Sequence, residues 1–268
     1  MATTDKEFVG SIPEIYDRLF VPLIFEPYAI DLANRLAALK PRHILETAAG
    51  TGVVTRAVAA KLPQANIVAT DLNAPMIEKA KTRQQAGKVE WKTADAQALP
   101  FEDASFDAVV CQFGAMFFPD RVKAYQEARR VLKTGGHFIF NVWDRISENE
   151  LVNVTMQALA EVFPADPPRF MERTPHGYYN VEVIRGDLRS AGFTDVSIEP
   201  LGATSRAPSA KAAVTAYCQG SPWKMEIEAR GAPGLEVAMA KATEAVEKRF
   251  GTGPIEGRIR ALVITARK

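Results

Sequence analysis

The sequence has few of the side chains that hold metal ions or cross-link small secreted folds. Its 268 residues include two cysteines, Cys111 and Cys218, and three histidines. Two thiols are too few for a cysteine metal site or for a framework of disulfides. Cys111 lies within an apolar, strand-like run, so we expect it to be a small buried hydrophobic residue. We predict no metal site.

Excess charge and long apolar runs are also missing. The formal net charge is +1 at pH 7, which supplies no field to attract nucleic acid or an anionic membrane. No apolar run approaches the length of a transmembrane helix, and the first residues lack the basic and apolar segments of a signal peptide. These absences predict a cytoplasmic protein with no nucleic-acid partner and no stable membrane insertion.

The composition is that of a globular protein, with 47% hydrophobic and 24% charged residues. A chain of this length can form one large α/β domain with an added segment, so we treat 1–268 as a single domain. From residue 43 onward, apolar strand-like runs alternate with helical patterns, which favours a mostly parallel sheet covered by helices on both faces. The predicted strands are 43–48, 66–71, 89–94, 106–112, 137–143, 193–199 and 259–265, and the helices between them are 53–62, 74–85, 121–132, 152–163 and 181–190.

Residues 1–40 precede this alternation and are predicted to form an N-terminal helical cover. The stretch 11–25 is apolar but contains Pro13 and Pro22, which predicts short helical pieces rather than one helix. A regular helix should then begin at Pro27, since proline is favoured in a first helical turn.

A second unusual segment, 203–256, is a helical insertion before the last strand. It contains helical patterns at 209–219 and 235–250. Helices inserted in this way can cap a substrate pocket, pack on the rest of the protein or form a dimer face. The sequence leaves these alternatives open, and with them the oligomeric state, for which a homodimer is one alternative.

A strand, a tight turn and a helix start are predicted from the run Ile44-Leu-Glu-Thr-Ala-Ala-Gly-Thr-Gly52. Gly50 and Gly52 permit a sharp turn and allow a ligand to lie against the main chain. The helix that follows directs free N–H groups and the positive end of its dipole toward such a ligand. Asp71 ends the next strand, at about the distance where nucleotide-binding folds place the acid that binds a ribose. A glycine turn alone can be an ordinary loop, but with this acid it indicates a cofactor site.

Four motifs occur in order between about Arg42 and Trp143: Glu46-Thr-Ala-Ala-Gly-Thr-Gly52, Asp71, Asp95-Ala96 and Phe106-Asp-Ala-Val-Val110. Together these motifs resemble the class I S-adenosylmethionine-dependent methyltransferases. More narrowly, they are similar to the bacterial small-molecule branch that includes the ubiquinone and menaquinone C-methylases. The resemblance implies a Rossmann-like α/β fold with a seven-stranded sheet, S-adenosylmethionine as cofactor, and methyl transfer to a small-molecule acceptor.

The resemblance also implies roles for the acids at the strand ends. Asp71 would accept hydrogen bonds from the ribose hydroxyls, Glu46 would orient the methionine end of the cofactor, and Asp95 with the N–H of Ala96 would bind the adenine. Purely structural roles stay open for Asp71, as an acid at a helix N-terminus, and for Asp95, as a turn aspartate. The other predicted cofactor contacts are Ala48, Gly50, Gly52, Leu72, Met76, Gln97 and Gln112, with Tyr16 and Arg18 of the N-terminal cover as weaker candidates.

No catalytic residue is assigned, because methyl transfer from a sulfonium is an in-line displacement that positioning and exclusion of water can promote. An oxygen or nitrogen acceptor can require a base, for which His176 is a candidate, although a loop histidine near tyrosines is more often a surface or packing residue. Phe113 and Trp143 terminate strands at the cofactor edge, so we predict that they bind the substrate.

Three other functions can be compared with the sequence. A nicotinamide-dependent oxidoreductase would need glycines at positions 48, 50 and 53, of which only Gly50 is present, and the chain contains no Tyr-x-x-x-Lys pair. Nucleic-acid amino-methyltransferases carry Asn/Asp-Pro-Pro-aromatic where this chain has Cys111-Gln-Phe-Gly-Ala-Met. A non-catalytic S-adenosylmethionine-binding protein stays open, and so does the identity of the methyl acceptor.

Overall fold

The computed structural model describes residues 5, 8 and 10–268. The chain folds into two compact units, each built from separate stretches of sequence. We call them the sheet unit (Glu26–Trp143, Tyr178–Leu201 and Ala261–Lys268) and the helical unit (the described part of Met1–Phe25, Asp144–Gly177 and Gly202–Arg260). In the described residues, no helix is both long enough and apolar enough to cross a membrane.

The sheet has seven strands in the order β3-β2-β1-β4-β5-β7-β6. The pairs from β3 to β5 are parallel, and β7 runs antiparallel to β5. The predicted seven-stranded, mostly parallel α/β fold is therefore confirmed. The strands are β1 His43–Glu46, β2 Asn66–Asp71, β3 Lys88–Thr93, β4 Phe106–Gln112, β5 Leu132–Trp143, β6 Asp195–Ala207 and β7 Ile255–Arg267.

Helices cover both faces of this sheet because alternate residues of each strand point to opposite sides. Ile139 of β5 joins a buried apolar cluster with residues of α2 and α3. The neighbouring Phe138 and Phe140 contact Tyr125 of α5, with ring centroids 5.6 and 5.2 Å apart. The helices of this unit are α2 Glu26–Leu39, α3 Val53–Lys61, α4 Ala74–Arg83, α5 Arg121–Val131 and α8 Val181–Ser190.

The helical unit has its own core. Its longest helix, α11, packs against α6 and α9, and α9 also packs against the π-helical segment Tyr16–Phe25. Trp223 is fully buried, and its indole N–H donates to the carbonyl of Pro168 at 3.1 Å. The helices of this unit are α1 Ile12–Ile15, α6 Glu150–Val162, α7 Phe170–Arg173, α9 Ala210–Gln219, α10 Trp223–Glu228 and α11 Leu235–Phe250.

Several predicted boundaries were wrong. β5 begins at Leu132, directly after α5, because Leu132 already pairs with Phe106 across a register shift in β4. Gly135 and Gly136, which fall between the predicted helix 121–132 and the predicted strand 137–143, therefore lie inside a strand. Gly135 takes a φ of +80° there, which glycine tolerates without steric cost.

The insertion is shorter than predicted, because β6 continues to Ala207 and β7 begins at Ile255. In β7, Ile255, Gly257 and Ile259 are buried, whereas Glu256 and Arg258 are exposed. The strand therefore begins four residues before the apolar run 259–265. The exposed charged residues Glu256 and Arg258 interrupt the apolar pattern there, so the sequence did not predict this part of the strand.

The N-terminal segment also differs from expectation. Pro22 does not break it but lies inside the ten-residue π-helical segment Tyr16–Phe25, and the short helix α10 was not predicted. The single-domain prediction and the role of the insertion as a cap stay predictions.

Candidate functional site

The carboxyl ends of β1, β2 and β4 form one edge of the sheet and bring the predicted residues together. Glu46 pairs with Ala69 of β2 and with Val110 of β4. Asp71 is the last residue of β2 and pairs with Thr93 of β3. Residues about 25 to 65 positions apart in sequence thereby become neighbours at the edge where open α/β sheets bind ligands.

The turn after β1 is held in a left-handed conformation at three positions. The φ angles are +53° at Ala48, +56° at Gly50 and +79° at Gly52. A Cβ at Gly52 would lie 2.6 Å from the Trp91 ring, so this position requires glycine for both conformation and space. Alanine at 48 carries a strain of roughly 1 kcal/mol in this conformation, which is expected where a turn is shaped for a ligand.

Asp71 is buried and organises this turn. Its Oδ2 accepts the N–H of Gly50 at 2.8 Å, and its Oδ1 accepts the N–H of Asn73 at 2.8 Å. Burial raises the pKa of the carboxyl, and these two backbone bonds oppose the increase. Each carboxylate oxygen can accept more than one hydrogen bond, so the group can hold the turn and also accept hydroxyls of a ligand.

Glu46 is also buried, and its Oε2 accepts the hydroxyl of Thr55 at 2.5 Å. Burial raises its pKa to about 8; the Thr55 hydrogen bond and the charge of Arg56 oppose the increase, and the charge of Asp71 adds to it. A cationic ligand beside these two buried acids would favour the charged form of both, because an opposite charge offsets the burial that raises their pKa values.

The predicted adenine side of the site is a turn that follows β3. Asp95 Oδ1 accepts the N–H of Gln97 at 2.9 Å, and the Gln97 Oε1 accepts the N–H of Asp120 at 2.9 Å. The two flanking apolar candidates differ in accessibility. Leu72 is 49% exposed, whereas Met76 is 3% exposed within α4. Only Leu72 therefore presents an open apolar surface to a ligand.

The two predicted substrate residues lie together in the sheet unit. The rings of Phe113 and Trp143 stack with centroids 3.8 Å apart and planes 9° apart. Tyr28 of α2 packs edge-on against both rings, at 5.2 and 5.4 Å. Phe113 has a φ of +50°, which is rare for a residue with a Cβ. Gln112, the residue before it, is partly exposed at the end of β4.

His176 lies in the helical unit and is buried rather than exposed. Its Nδ1 is 2.8 Å from the main-chain oxygen of Asp144. Because a carbonyl oxygen only accepts, Nδ1 carries the proton in this tautomer. Burial lowers the pKa of His176 to about 4, so the ring is neutral at pH 7. The other candidates outside the sheet unit are Tyr16, which packs on Phe20 and Phe25, and the exposed Arg18.

Four residues that contact the candidate site were not predicted from the sequence. Thr55 donates to Glu46, Trp91 lies against Gly52, Tyr28 packs on Phe113, and Asn141 accepts the Phe113 N–H. Thr55 lies one turn into α3, so its spacing from Gly52 was a usable signal. Trp91 faces the glycine turn from β3, and its alternation within that strand also indicated a face. Tyr28 and Asn141 come from distant elements, and no local pattern marked them.

Both cysteines are free and buried. Cys111 is fully buried at the end of β4, as expected, and burial raises its pKa to about 12. In the described part of the chain, no group of three or more His, Cys, Asp or Glu side chains could hold a metal ion.

Known proteins match this chain across the same region. A family model described as a methyltransferase domain matches residues 45–140. The ubiquinone/menaquinone biosynthesis C-methyltransferase UbiE of Rhizobium etli is 33% identical over 181 residues, which cover 60% of this chain and 70% of that protein. A demethylmenaquinone methyltransferase of Thermus thermophilus is 40% identical over 113 residues, covering 41% of this chain and 50% of that one.

The fold also matches solved structures. The YcgJ protein of Bacillus subtilis superposes with a TM-score of 0.57 at 18% identity, covering 90% of this chain and 98% of that one. None of the matches supports the oxidoreductase alternative, and S-adenosylmethionine is the cofactor that they indicate. The chain therefore belongs to the class I S-adenosylmethionine-dependent methyltransferases and is similar to their quinone C-methyltransferase branch.

Proposed function

We propose that this protein transfers a methyl group from S-adenosylmethionine to a ring carbon of a small aromatic acceptor of the reduced-quinone type. The observation that carries this proposal is the 33% identity to a quinone C-methyltransferase over 70% of that relative's length. The stacked rings of Phe113 and Trp143 at the tips of β4 and β5 support it, because aromatic side chains favour a flat apolar acceptor.

The residues of the sheet unit suit the cofactor. Asp71 would bind the ribose, Glu46 would face the cationic methionine end, and Asp95, Ala96 and Gln97 would surround the adenine beside Leu72. The left-handed turn at Ala48, Gly50 and Gly52 would place main chain against the cofactor. Met76 and Gln112 stay predicted contacts at the borders of this site.

One buried polar atom supports this fit. The Thr51 hydroxyl lies within the turn and has no hydrogen-bond partner in the described residues, and its residue is almost completely buried. An unpaired buried hydroxyl costs stability, which a polar ligand at the turn would offset.

The bound cofactor would supply an electrophilic methyl group on a sulfonium. The chain's own part is to align the acceptor with that methyl group and to exclude water, and these effects can supply much of the rate enhancement for an in-line displacement. Carbon methylation also releases a ring proton. No residue is assigned as the base that accepts this proton.

A labelled-methyl assay tests the acceptor class. Tritiated S-adenosylmethionine is incubated with the protein and with a short-chain reduced demethylmenaquinone, a simple phenol or phosphoethanolamine. We expect label on the ring carbon of the reduced quinone. Label on a phenol oxygen or on the amine alone would contradict the proposal. Cofactor binding without transfer to any acceptor would instead favour the non-catalytic alternative.

A further inference from the structure

Asn141 is a fully buried polar residue of β5 next to the predicted substrate residues. It pairs with Gln112 at the end of the β4–β5 ladder. The Phe113 N–H donates both to the Asn141 main-chain oxygen at 3.2 Å and to its side-chain Oδ1 at 3.0 Å. Because the N–H can only donate, the side-chain atom that faces it must be the carboxamide oxygen.

These bonds act where the chain leaves β4. Phe113 has a φ of +50°, a conformation that its Cβ disfavours. The bond from Oδ1 holds this turn together with the stacking of Phe113 on Trp143. A strained residue of this kind persists only when its surroundings fix it.

The turn after β4 in turn supports the cofactor turn after β1. A Cβ built on Gly114 would overlap the Cβ of Ala48 and would lie 2.8 Å from the Cys111 sulfur. The main chain at 114 therefore packs directly on Ala48, whose left-handed φ shapes the glycine turn. A displacement of the main chain at Phe113 should therefore also displace Ala48 through this contact.

The Asn141 carboxamide should reduce the stability of the folded protein. Its Nδ2 is buried and has no hydrogen-bond partner in the described residues. Asn149 in the helical unit is equally buried, at 1% exposure compared with 0% for Asn141, but its amide is fully used. Asn149 Nδ2 donates to the carbonyls of Arg145 and Arg260, and its Oδ1 accepts the N–H of Arg260. Hydrogen bonds from the whole amide thus account for the buried asparagine at 149, but they do not account for the one at 141.

We propose that Asn141 is a positioning residue of the methyl-transfer site, whose carboxamide oxygen holds the Phe113–Gly114 turn so that Ala48 and the glycine turn keep the conformation that binds S-adenosylmethionine. This inference rests on the proposed function for the identity of the cofactor. Only the oxygen is required, so a side chain that keeps it can replace asparagine, whereas an apolar side chain of the same size cannot.

Three variants test this role: Asn141→Leu, Asn141→Asp and, as the matched control, Asn149→Leu. S-adenosylmethionine affinity is measured by calorimetry and the melting temperature by thermal unfolding. We expect N141L to bind the cofactor about tenfold more weakly while its melting temperature is unchanged or higher, because the unpaired donor is removed. N141D keeps the acceptor oxygen and should bind within about threefold of the wild type. N149L should lose melting temperature, because three main-chain polar groups lose their partners.

Two results would overturn the inference. The first is an N141L protein that binds the cofactor as tightly as the wild type. The second is an N141L protein whose melting temperature falls as in N149L, with N141D no better, since this would indicate an ordinary structural role. If the wild type does not bind S-adenosylmethionine, the proposed function fails instead. The melting temperatures of N141L and N149L still decide whether the Asn141 carboxamide is a stabilising group.

Discussion

At the scale of single residues, two buried acids hold the chain's own groups and are also the proposed contacts to the cofactor. Asp71 accepts two backbone N–H groups of its own chain at 2.8 Å and is the proposed ribose ligand. Glu46 accepts a hydroxyl in the protein interior, where its charged form is disfavoured. Substitution of either acid should therefore affect folding as well as the proposed binding, and it must be compared with substitution of an acid elsewhere that has only a structural role.

Replacing Asp71 by alanine should weaken S-adenosylmethionine binding by roughly 10- to 100-fold, since hydrogen bonds to a charged group contribute about 1.5–3 kcal/mol. Calorimetry with the purified variant measures this loss. Asp107→Ala is the matched control, because Asp107 also accepts two backbone N–H groups, those of Arg42 and His43, but at the opposite ends of the strands. D107A should lose stability and keep its affinity. Unchanged affinity in D71A would refute the ribose assignment.

Glu46 should make the ligand-free protein less stable as pH rises. Burial raises its folded pKa from 4.5 to about 8, so between these values the folded state holds a proton that the unfolded state has released. Rising pH therefore favours unfolding throughout this window. We expect the melting temperature to fall more steeply from about pH 5 to pH 8 in the wild type than in E46Q, which cannot titrate. The exposed Glu236→Gln should behave like the wild type, and parallel curves for E46Q and wild type would contradict this assignment.

At the scale of elements, the strand–turn–helix from β1 to α3 depends on a position in its turn, Gly52, that has no room for a side chain. Gly52 is left-handed and abuts Trp91 of β3, so the turn, the helix start and a third strand are fitted to one another. The glycine can be read from the local sequence, but the side chain that leaves no space for a Cβ there, Trp91, lies on β3. A substitution there should disturb all three elements.

Gly52→Ala should therefore lower both stability and S-adenosylmethionine affinity. We expect a loss of at least about 1–2 kcal/mol from the left-handed conformation alone, with more from the overlap with Trp91. Gly186→Ala is the control, since Gly186 lies inside α8 and an added Cβ there meets nothing within 4 Å. That variant should gain roughly 0.5–1 kcal/mol from helix propensity. Equal effects of the two substitutions on thermal unfolding would refute this account.

At the scale of the whole molecule, the residues of the proposed cofactor site from Glu46 to Gln112 all lie in the sheet unit. The helical unit gathers the insertion, the described N-terminal residues and Asp144–Gly177 into a separate core. Binding to the sheet unit should still stabilise the protein, because any ligand that binds only the folded state shifts the unfolding equilibrium.

S-adenosylmethionine should accordingly raise the melting temperature, and NADH should not. At a ligand concentration 100 times its Kd, mass action adds about 2.7 kcal/mol, which corresponds to roughly 5–10 °C for a chain of this size. A thermal-shift series over ligand concentration measures the effect, with the demethylated product S-adenosylhomocysteine as a second positive ligand. A shift with NADH of equal size would contradict the assignment of the cofactor.

The sequence by itself determined the parts of this protein that depend on local pattern. Strand and helix alternation predicted the α/β sheet, since periodicity records which faces are buried. The glycine turn and the acids at 46, 71 and 95 predicted one edge of the sheet as the cofactor site, because parallel strands bring their carboxyl ends together; this assignment stays a prediction. β2 and β4 were predicted to the residue, as each is a short buried run.

Tertiary structure alone decided the rest. The pairing of Leu132 with Phe106, the gathering of three stretches into the helical unit, and the approach of Asn141 and Trp91 to two turns all join residues distant in sequence. A one-dimensional pattern shows which side of an element is apolar but not which distant side chain lies against it. The contacts that fix the site's conformation are therefore visible only in the folded chain.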